Sequence, residues 1–142
     1  MVAVVYSTRR GATEKIAREI ARNMGEKVKA YNLSRALPGR LDNFVVVGSP
    51  IYYEKPLPEV TDFLRNENHL HNNRVAIFVV CIADAFGKLG RKYVEARYLG
   101  SLKKSIQGEI VDERIFRGWL LRENKKTLEE ARLWGKKLSR FL

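Results

Sequence analysis

Three near-continuous apolar runs constrain the fold of this chain more than any other feature of its sequence. Residues 2–6, 44–47 and 75–82 are rich in β-branched side chains and lack the regular polar–apolar alternation of a half-exposed strand. Such runs are typical of strands that are buried on both faces, as in the centre of a parallel sheet. We therefore predict three central strands with other elements packed on both sides of them.

Weaker patterns fill the chain between and after these runs. Residues 27–31 alternate polar and apolar side chains, and residues 106–116 do so less regularly around Gly108, so both predict strands nearer the sheet edges. Helical spacing of apolar residues, with glycine or proline at the boundaries, predicts helices over residues 16–24, 56–64, 89–99 and 128–142. Residues 32–42 leave room for only a turn or two of helix.

Strand and helix thus alternate five times in a chain of 142 residues, a length typical of one domain. Parallel strands joined through helices require right-handed crossovers, which place helices on both faces of the sheet. We predict an α/β fold: a single doubly wound sandwich over residues 1–142. Ligands of such sheets bind beyond the carboxyl ends of the strands. The loops after Tyr6, Val47 and Ile82 are therefore the candidate site.

The chain is strongly basic, with 27 Lys and Arg against 16 Asp and Glu and a net charge of +11. Such a surface attracts nucleic acid, anionic lipid or acidic protein, but basic residues spread as pairs also fit a merely solvated surface. The single cysteine, Cys81, excludes an internal disulfide and reads as a small core residue. The longest apolar run is too short to span a bilayer, so we expect a cytoplasmic protein.

The first candidate loop carries features that suit a phosphate group. It leads directly into the first helix, whose opening N–H groups lack internal partners and whose dipole favours negative charge. Hydroxyls, arginines and a glycine together fit a phosphate monoester, and the candidate residues are Ser7, Thr8, Arg9, Arg10, Gly11, Ala12 and Thr13. The alternative is a polar turn with Thr13 as an ordinary helix cap. The glycine spacings of dinucleotide and triphosphate loops are absent.

The stretch VVYSTRRGATEKIAREI at residues 4–20 resembles the signature of flavodoxins, with Thr8, Gly11 and Thr13 at its defining positions and Ala17 and Ile20 on the helix. The resemblance extends over essentially the whole chain. It implies a flavodoxin-like five-stranded parallel sheet of order 2-1-3-4-5. It also implies that the cofactor is FMN, with the phosphate held by the first loop and the flavin ring by two later loops.

The later loops are GSPIYYEKPLPEV at residues 48–60 and CIADAFGKLG at residues 81–90. The resemblance implies flavin contacts from Ser49, Pro50, Ile51, Tyr52, Tyr53, Ile82, Ala83, Asp84, Ala85 and Phe86. Tyr52 is the preferred stacking residue and Phe86 the aromatic candidate for the second wall. Alternatively, one tyrosine packs on the sheet, and Asp84 caps the following helix.

The predicted function is therefore that of an FMN protein acting in electron transfer or as a small oxidoreductase. Two segments, at residues 7–21 and 48–64, are more similar to the menaquinone-dependent protoporphyrinogen dehydrogenases. That branch has a long insertion before the last helix, where residues 116–125 form only a short connection here. A quinone-linked dehydrogenase is thus one alternative, and a basic nucleic-acid-binding module is another, although no recognised nucleic-acid motif fits.

The positive charge predicts an acidic redox partner, and the resemblance to the protoporphyrinogen dehydrogenases implies a quinone-linked acceptor instead. The last helix carries Trp134 and Phe141 among basic residues, and it lies either on an anionic membrane surface or against its own sheet. His69 and His71 lack companions at ligand spacing, so no metal site is expected. The sequence identifies no catalytic residue and does not decide between carrier and enzyme.

Overall fold

The computed structural model describes residues 2–52, 55–66, 73–82 and 95–142. This part of the chain contains six strands, with helices between most of them. In chain order the elements are β1 (Ala3–Tyr6), α1 (Ala12–Met24), β2 (Lys29–Asn32), β3 (Phe44–Tyr52), β4 (Lys55–Pro56), α2 (Pro58–Asn66), β5 (Arg74–Cys81), a π-helical segment (Glu95–Leu99), α3 (Gly100–Lys103), β6 (Glu109–Arg117), α4 (Lys125–Leu138) and a 3-10 turn (Ser139–Phe141).

Five of the strands form one parallel sheet in the order β2-β1-β3-β5-β6. Counting these strands along the chain gives the order 2-1-3-4-5, so the predicted topology is confirmed. The sixth strand, β4, is short and pairs antiparallel with the end of β3. β2 and β3 lie on opposite sides of β1, and β3 runs parallel to β1, so the loop after Tyr6 lies beside the carboxyl-terminal half of β3.

Helices cover both faces of this sheet. On one face, α1 and α4 pack on alternate side chains of the strands, among them Phe78 and Phe116, which contact Trp134 of α4. On the other face, α2 and the segment from Tyr98 to Leu102 pack on the remaining strand residues, among them Val47, Ile77 and Val79. The predicted doubly wound sandwich is therefore confirmed.

The third strand is longer than its apolar run predicts, because it continues through Gly48, Ser49 and Pro50 to Tyr52. The interpretation of residues 48–52 as loop is wrong. β1 ends at Tyr6, opposite Gly48, so from Ser49 onward β3 has a parallel neighbour only on the β5 side. Proline is tolerated in a strand where one side has no ladder partner, which explains Pro50.

The helix after this strand begins two residues later than predicted. Pro56 lies in β4, and Pro58 opens α2, where its missing N–H is harmless. Residues 33–43 contain turns and no helix. Most of the predicted third helix lies outside the described residues, and its described end is the π-helical segment followed by α3.

The last helix packs on its own sheet, which was the second of the two alternatives that its sequence left open. Trp134 is 1% exposed, makes edge-to-face contacts with Phe78 and Phe116, and donates its indole N–H to Asp112 Oδ2 at 3.1 Å. Phe141 packs against Phe44, with ring centroids 5.2 Å apart. The aromatic residues of this segment therefore serve the core. No helix among the described residues is long and apolar enough to cross a membrane.

The interpretation of Cys81 as a core residue is also confirmed. It ends β5 with 2% of its surface exposed, and burial raises the pKa of the thiol to about 12. The side chain is therefore a protonated thiol at neutral pH and a poor nucleophile.

Candidate functional site

The first turn of α1 is open at its N-terminus. Gly11 precedes the helix with a φ of 96°, a left-handed conformation that glycine adopts readily and other residues rarely do. Among the described residues, no side chain caps the helix, and a Cβ built on Gly11 would meet no atom within 4 Å. The Gly11 N–H donates to Thr8 Oγ1 at 3.0 Å, which fixes the turn. The first N–H groups of α1 thus remain free to donate to a bound anion.

Thr13 lies in the first turn of α1 and is 1% exposed. It does not cap the helix, because Gly11 holds that position, so the interpretation of Thr13 as an ordinary cap is wrong. A buried hydroxyl beside a helix N-terminus is a donor for a bound anion.

A second feature of this loop is an ion pair that reaches across to α2. The Glu59 carboxylate accepts a hydrogen bond from Ser7 Oγ at 2.7 Å. It also accepts from both terminal nitrogens of Arg9, with Nη2 at 2.9 Å from Oε1. The hydrogen bonds from Arg9, with help from Ser7, lower the pKa of Glu59 to about 2. Glu59 is therefore ionised at neutral pH and ties the first loop to the start of α2.

Side chains from four strand ends meet in one cleft at the carboxyl edge of the sheet. The residues that line it are Thr8, Arg10, Ala12, Thr13, Pro50, Ile51, Tyr52, Val80, Ile82, Gly118 and Trp119. They come from the loop between β1 and α1, from the ends of β3 and β5, and from the segment after β6. This convergence follows from the parallel sheet, in which all carboxyl ends lie at the same edge.

Eight of the predicted site residues line this cleft: Thr8, Arg10, Ala12, Thr13, Pro50, Ile51, Tyr52 and Ile82. Gly11 shapes the loop without lining the cleft, and Ser7 and Arg9 contact Glu59. Tyr53 and residues 83–86, which include the predicted Ala83, Asp84, Ala85 and Phe86, lie outside the described residues.

Ser49 is a predicted site residue that does not line the cleft. It is fully buried, and its hydroxyl accepts from the Leu57 N–H and donates to the Pro50 carbonyl, both at 2.8 Å. Its visible role is to hold the turn that leads from β3 into α2.

Sequence reasoning missed Gly118, Trp119, Val80 and Glu59. Gly118 and Trp119 come directly after the last strand, at the same sheet edge as the other loops. Their position after a parallel strand could have indicated that they belong to the site. The Gly118 N–H donates to the Cys81 carbonyl at 2.8 Å, which fixes Trp119 beside the end of β5. No sequence signal indicates the contact between Arg9 and Glu59, because 50 residues separate them.

The sequence profile described as "Flavodoxin domain" matches residues 3–133 of this chain. The chain belongs to the flavodoxin-domain family. The predicted family is therefore confirmed, and with it the prediction of an FMN-binding protein of electron transfer or oxidoreduction. The comparison with curated protein sequences found no significant match.

Solved structures agree with this family at the level of the fold. The chain is similar to a flavodoxin, WrbA-like protein from Agrobacterium tumefaciens, with 17% identity, a TM-score of 0.71, and 99% of this chain and 95% of the other covered. Flavodoxin 1 from Bacillus cereus aligns at 13% identity and a TM-score of 0.69, covering 99% and 98%. Two-electron reduced Megasphaera elsdenii flavodoxin aligns at 17% identity and a TM-score of 0.64, covering 99% of each chain.

The chemistry of the described site fits FMN at both of its ends. Uncapped helix N–H groups and the Thr8 and Thr13 hydroxyls offer donors to a phosphate, and Tyr52 and Trp119 offer flat apolar surface to a ring system. Among the described residues, no group of three or more His, Cys, Asp or Glu side chains is arranged to hold a metal ion.

Proposed function

We propose that this flavodoxin-family protein binds FMN along the cleft at the carboxyl edge of its sheet and passes electrons as a carrier or small oxidoreductase. One observation carries the proposal: phosphate-binding and ring-stacking groups line the same cleft. Thr8, Arg10 and Thr13 line this cleft and supply the phosphate-binding groups. Tyr52 and Trp119 line the same cleft and supply the aromatic rings.

The phosphate end is formed by α1 and the loop before it. The N–H groups of the first helical turn and the hydroxyls of Thr8 and Thr13 donate to the phosphate oxygens. Arg10 supplies the positive charge, because it lines the cleft and no ion pair with a described residue engages it. Arg9 does not supply this charge to the phosphate, because Glu59 binds its guanidinium.

The ring end is formed by the ends of β3 and β5 and by the segment after β6. Tyr52 and Trp119 are half-buried aromatic residues that pack on opposite core clusters, so they flank the cleft from the two faces of the sheet. Such fixed aromatic surfaces stack on a flat ligand and exclude water from it. Tyr53 and Phe86 remain predicted ring contacts.

The bound flavin supplies the redox chemistry, and the protein positions it and sets its electrostatic environment. The net charge of +11 favours reduction to an anionic flavin and attracts negatively charged partners. Two partner types fit this charge, an acidic redox protein and a quinone-linked acceptor at an anionic membrane. We propose that the physiological partner presents negative charge to this protein.

Titrations with FMN and with riboflavin test the two ends of the site separately, because riboflavin has the same ring but no phosphate. Thr13→Val should weaken FMN binding by about tenfold or more through loss of a charge-assisted hydrogen bond. Arg10→Gln should weaken it by about fivefold, the size of a partly screened charge interaction. Both variants should leave riboflavin affinity unchanged, whereas Tyr52→Leu should weaken both ligands.

Arg9→Gln is the matched control, since it removes a neighbouring charge of the same type that Glu59 already engages. It should reduce FMN affinity less than Arg10→Gln does. Flavin fluorescence quenching measures all four variants. Equal losses for FMN and riboflavin in the Thr13 variant would contradict the phosphate assignment, and failure of the wild-type protein to bind FMN would overturn the whole proposal.

A further inference from the structure

The loop between β6 and α4, residues 118–124, displays two leucines to solvent beside the cleft. Leu121 is 97% exposed and Leu120 is 55% exposed. They follow Gly118 and Trp119 directly, and those two residues line the cleft. A single exposed leucine is ordinary on a protein surface. Two adjacent ones at the rim of a binding site form an apolar projection that the described fold does not cover.

Cations surround this apolar pair on both sides along the chain. Arg117 and Arg122 flank it, and Lys125 and Lys126 follow in the first turn of α4; all four are exposed. None of them forms an ion pair with another residue in the described part of the chain. The acidic residue within the loop, Glu123, is paired with Lys15. The loop therefore presents apolar surface together with uncompensated positive charge.

Several hydrogen bonds hold the loop in place at its two ends. The Gly118 N–H donates to the Cys81 carbonyl at 2.8 Å, and Thr127 Oγ1 donates to the Arg117 carbonyl at 2.7 Å. The Asn124 side chain caps α4 by accepting from the Thr127 N–H at 3.2 Å. Because the ends are fixed, the leucines are displayed without a large loss of loop entropy on binding.

We propose that loop 118–124 docks the protein on an anionic lipid surface. Leu120 and Leu121 enter the region between headgroups and acyl chains, and the four flanking cations contact the headgroups. Apolar insertion combined with basic residues is the usual basis of peripheral membrane binding. The net charge of +11 adds long-range attraction to the same surface.

The shape of the surface favours lipid over an acidic protein as the occupant. Leu121 projects with nearly all of its surface free. A protein partner would need a matching apolar recess within its acidic face, whereas a lipid interface accepts a projecting side chain without a preformed pocket. Docking in this way turns the rim at Trp119 toward the membrane. The anionic lipid surface is then the negatively charged partner of the proposed function. Binding to vesicles does not itself require FMN.

Flotation with vesicles of phosphatidylcholine alone and of phosphatidylcholine with phosphatidylglycerol tests the proposal. The full-length protein should bind the anionic vesicles and not the neutral ones. The double variant Leu120→Ser, Leu121→Ser should lower the partition coefficient by about tenfold or more. The triple variant Arg122→Gln, Lys125→Gln, Lys126→Gln should lower it on the order of 100-fold, since each cation near the surface contributes about fivefold.

Leu133→Ser is the matched control. Leu133 is 50% exposed on α4, close to the exposed Lys136, and lies outside loop 118–124. This variant should bind vesicles as the wild-type protein does. Circular dichroism of each variant excludes unfolding as the cause of a loss, and quenching of Trp119 fluorescence by brominated lipid reports insertion, because the other tryptophan, Trp134, is buried.

Three results would overturn the proposal. The wild-type protein could fail to bind anionic vesicles, or the leucine variant could bind as tightly as the wild type, which would leave charge attraction alone. Retention on a polyglutamate matrix that depends on the two leucines, without vesicle binding, would assign the surface to an acidic protein. Bound protein is quantified separately from flavin, so vesicle binding by a protein that fails to bind added FMN would refute the FMN proposal and leave this one standing.

Discussion

The ion pair between Arg9 and Glu59 provides a direct test of how the first loop is held. Glu59→Gln keeps the size of the side chain, but it removes the negative charge and replaces one of the two acceptor oxygens with an NH2 group that can only donate. In the native protein the carboxylate accepts from Ser7 Oγ at 2.7 Å and from Arg9 Nη2 at 2.9 Å. The variant should therefore lose the ion pair and one of the two contacts with Arg9, and retain only the hydrogen bonds that its single remaining oxygen accepts.

The magnitude follows from the pKa of Glu59, which the Arg9 hydrogen bonds lower from 4.5 to about 2. At about 1.4 kcal/mol per pKa unit this shift corresponds to at most roughly 3.5 kcal/mol. The side chains of Arg9 and Glu59 are 46% and 23% exposed, so solvent screens the pair. We expect a loss of about 1 kcal/mol in the free energy of unfolding at pH 7.

The pH dependence of this loss is fixed in sign. A carboxyl whose folded pKa lies below its unfolded pKa binds protons more weakly when folded, so its stabilisation is complete above the unfolded value. It disappears as the pH falls from about 4.5 toward 2. Urea unfolding of wild type and variant from pH 7 to pH 3 should therefore give a difference that is constant near neutrality and shrinks below pH 4.5.

Glu129→Gln is the matched control, because Glu129 forms an exposed ion pair with Arg132 within α4. It removes the same charge from the chain but breaks no contact between separate elements, so its effect on unfolding should be smaller. A difference for Glu59→Gln that does not change between pH 7 and pH 3, or that is no larger than the control's, would refute the reasoning.

Two further predictions concern the core. Gly135→Ala should destabilise the protein by roughly 1–3 kcal/mol although alanine favours helices, because its Cβ would lie 2.6 Å from the Ile20 carbonyl oxygen. Thermal melting measures this, with Gly100→Ala as a control that meets nothing within 4 Å; equal melting temperatures would contradict it. Cys81, 2% exposed with its pKa raised to about 12, should react with a disulfide reagent only as urea unfolds the protein, and immediate labelling of native protein would show that the thiol is accessible.

The central strands were accessible from the sequence because burial on both faces leaves a direct pattern, whereas their order was implied by the resemblance to flavodoxins. Runs such as residues 44–47 and 75–82 place apolar side chains at every position, and few other arrangements accept that. The location of the site followed from topology, since parallel strands bring their carboxyl-end loops to one edge. Thr8, Thr13 and Tyr52 lie where those rules predict.

The errors share a physical cause, which is that a neighbour distant in sequence decided the outcome. Residues 48–52 read as loop because they contain glycine and proline, yet β5 pairs with them as far as Pro50 and β4 pairs with Ile51 and Tyr52. Ser49 was a flavin contact that the resemblance implied, and in the structure its hydroxyl accepts from the Leu57 N–H. Neither partner is visible from local composition.

The sequence by itself therefore determined the architecture, the edge of the sheet that binds ligand and the loop that suits a phosphate. Those features depend on periodicity and on the chemistry of adjacent residues, which a linear chain carries in full. Only the tertiary structure decided that Glu59 restrains Arg9, that Trp119 joins the cleft and that Gly135 must lack a side chain against α1. Each of these depends on the distance between residues far apart in the chain, and packing alone sets that distance.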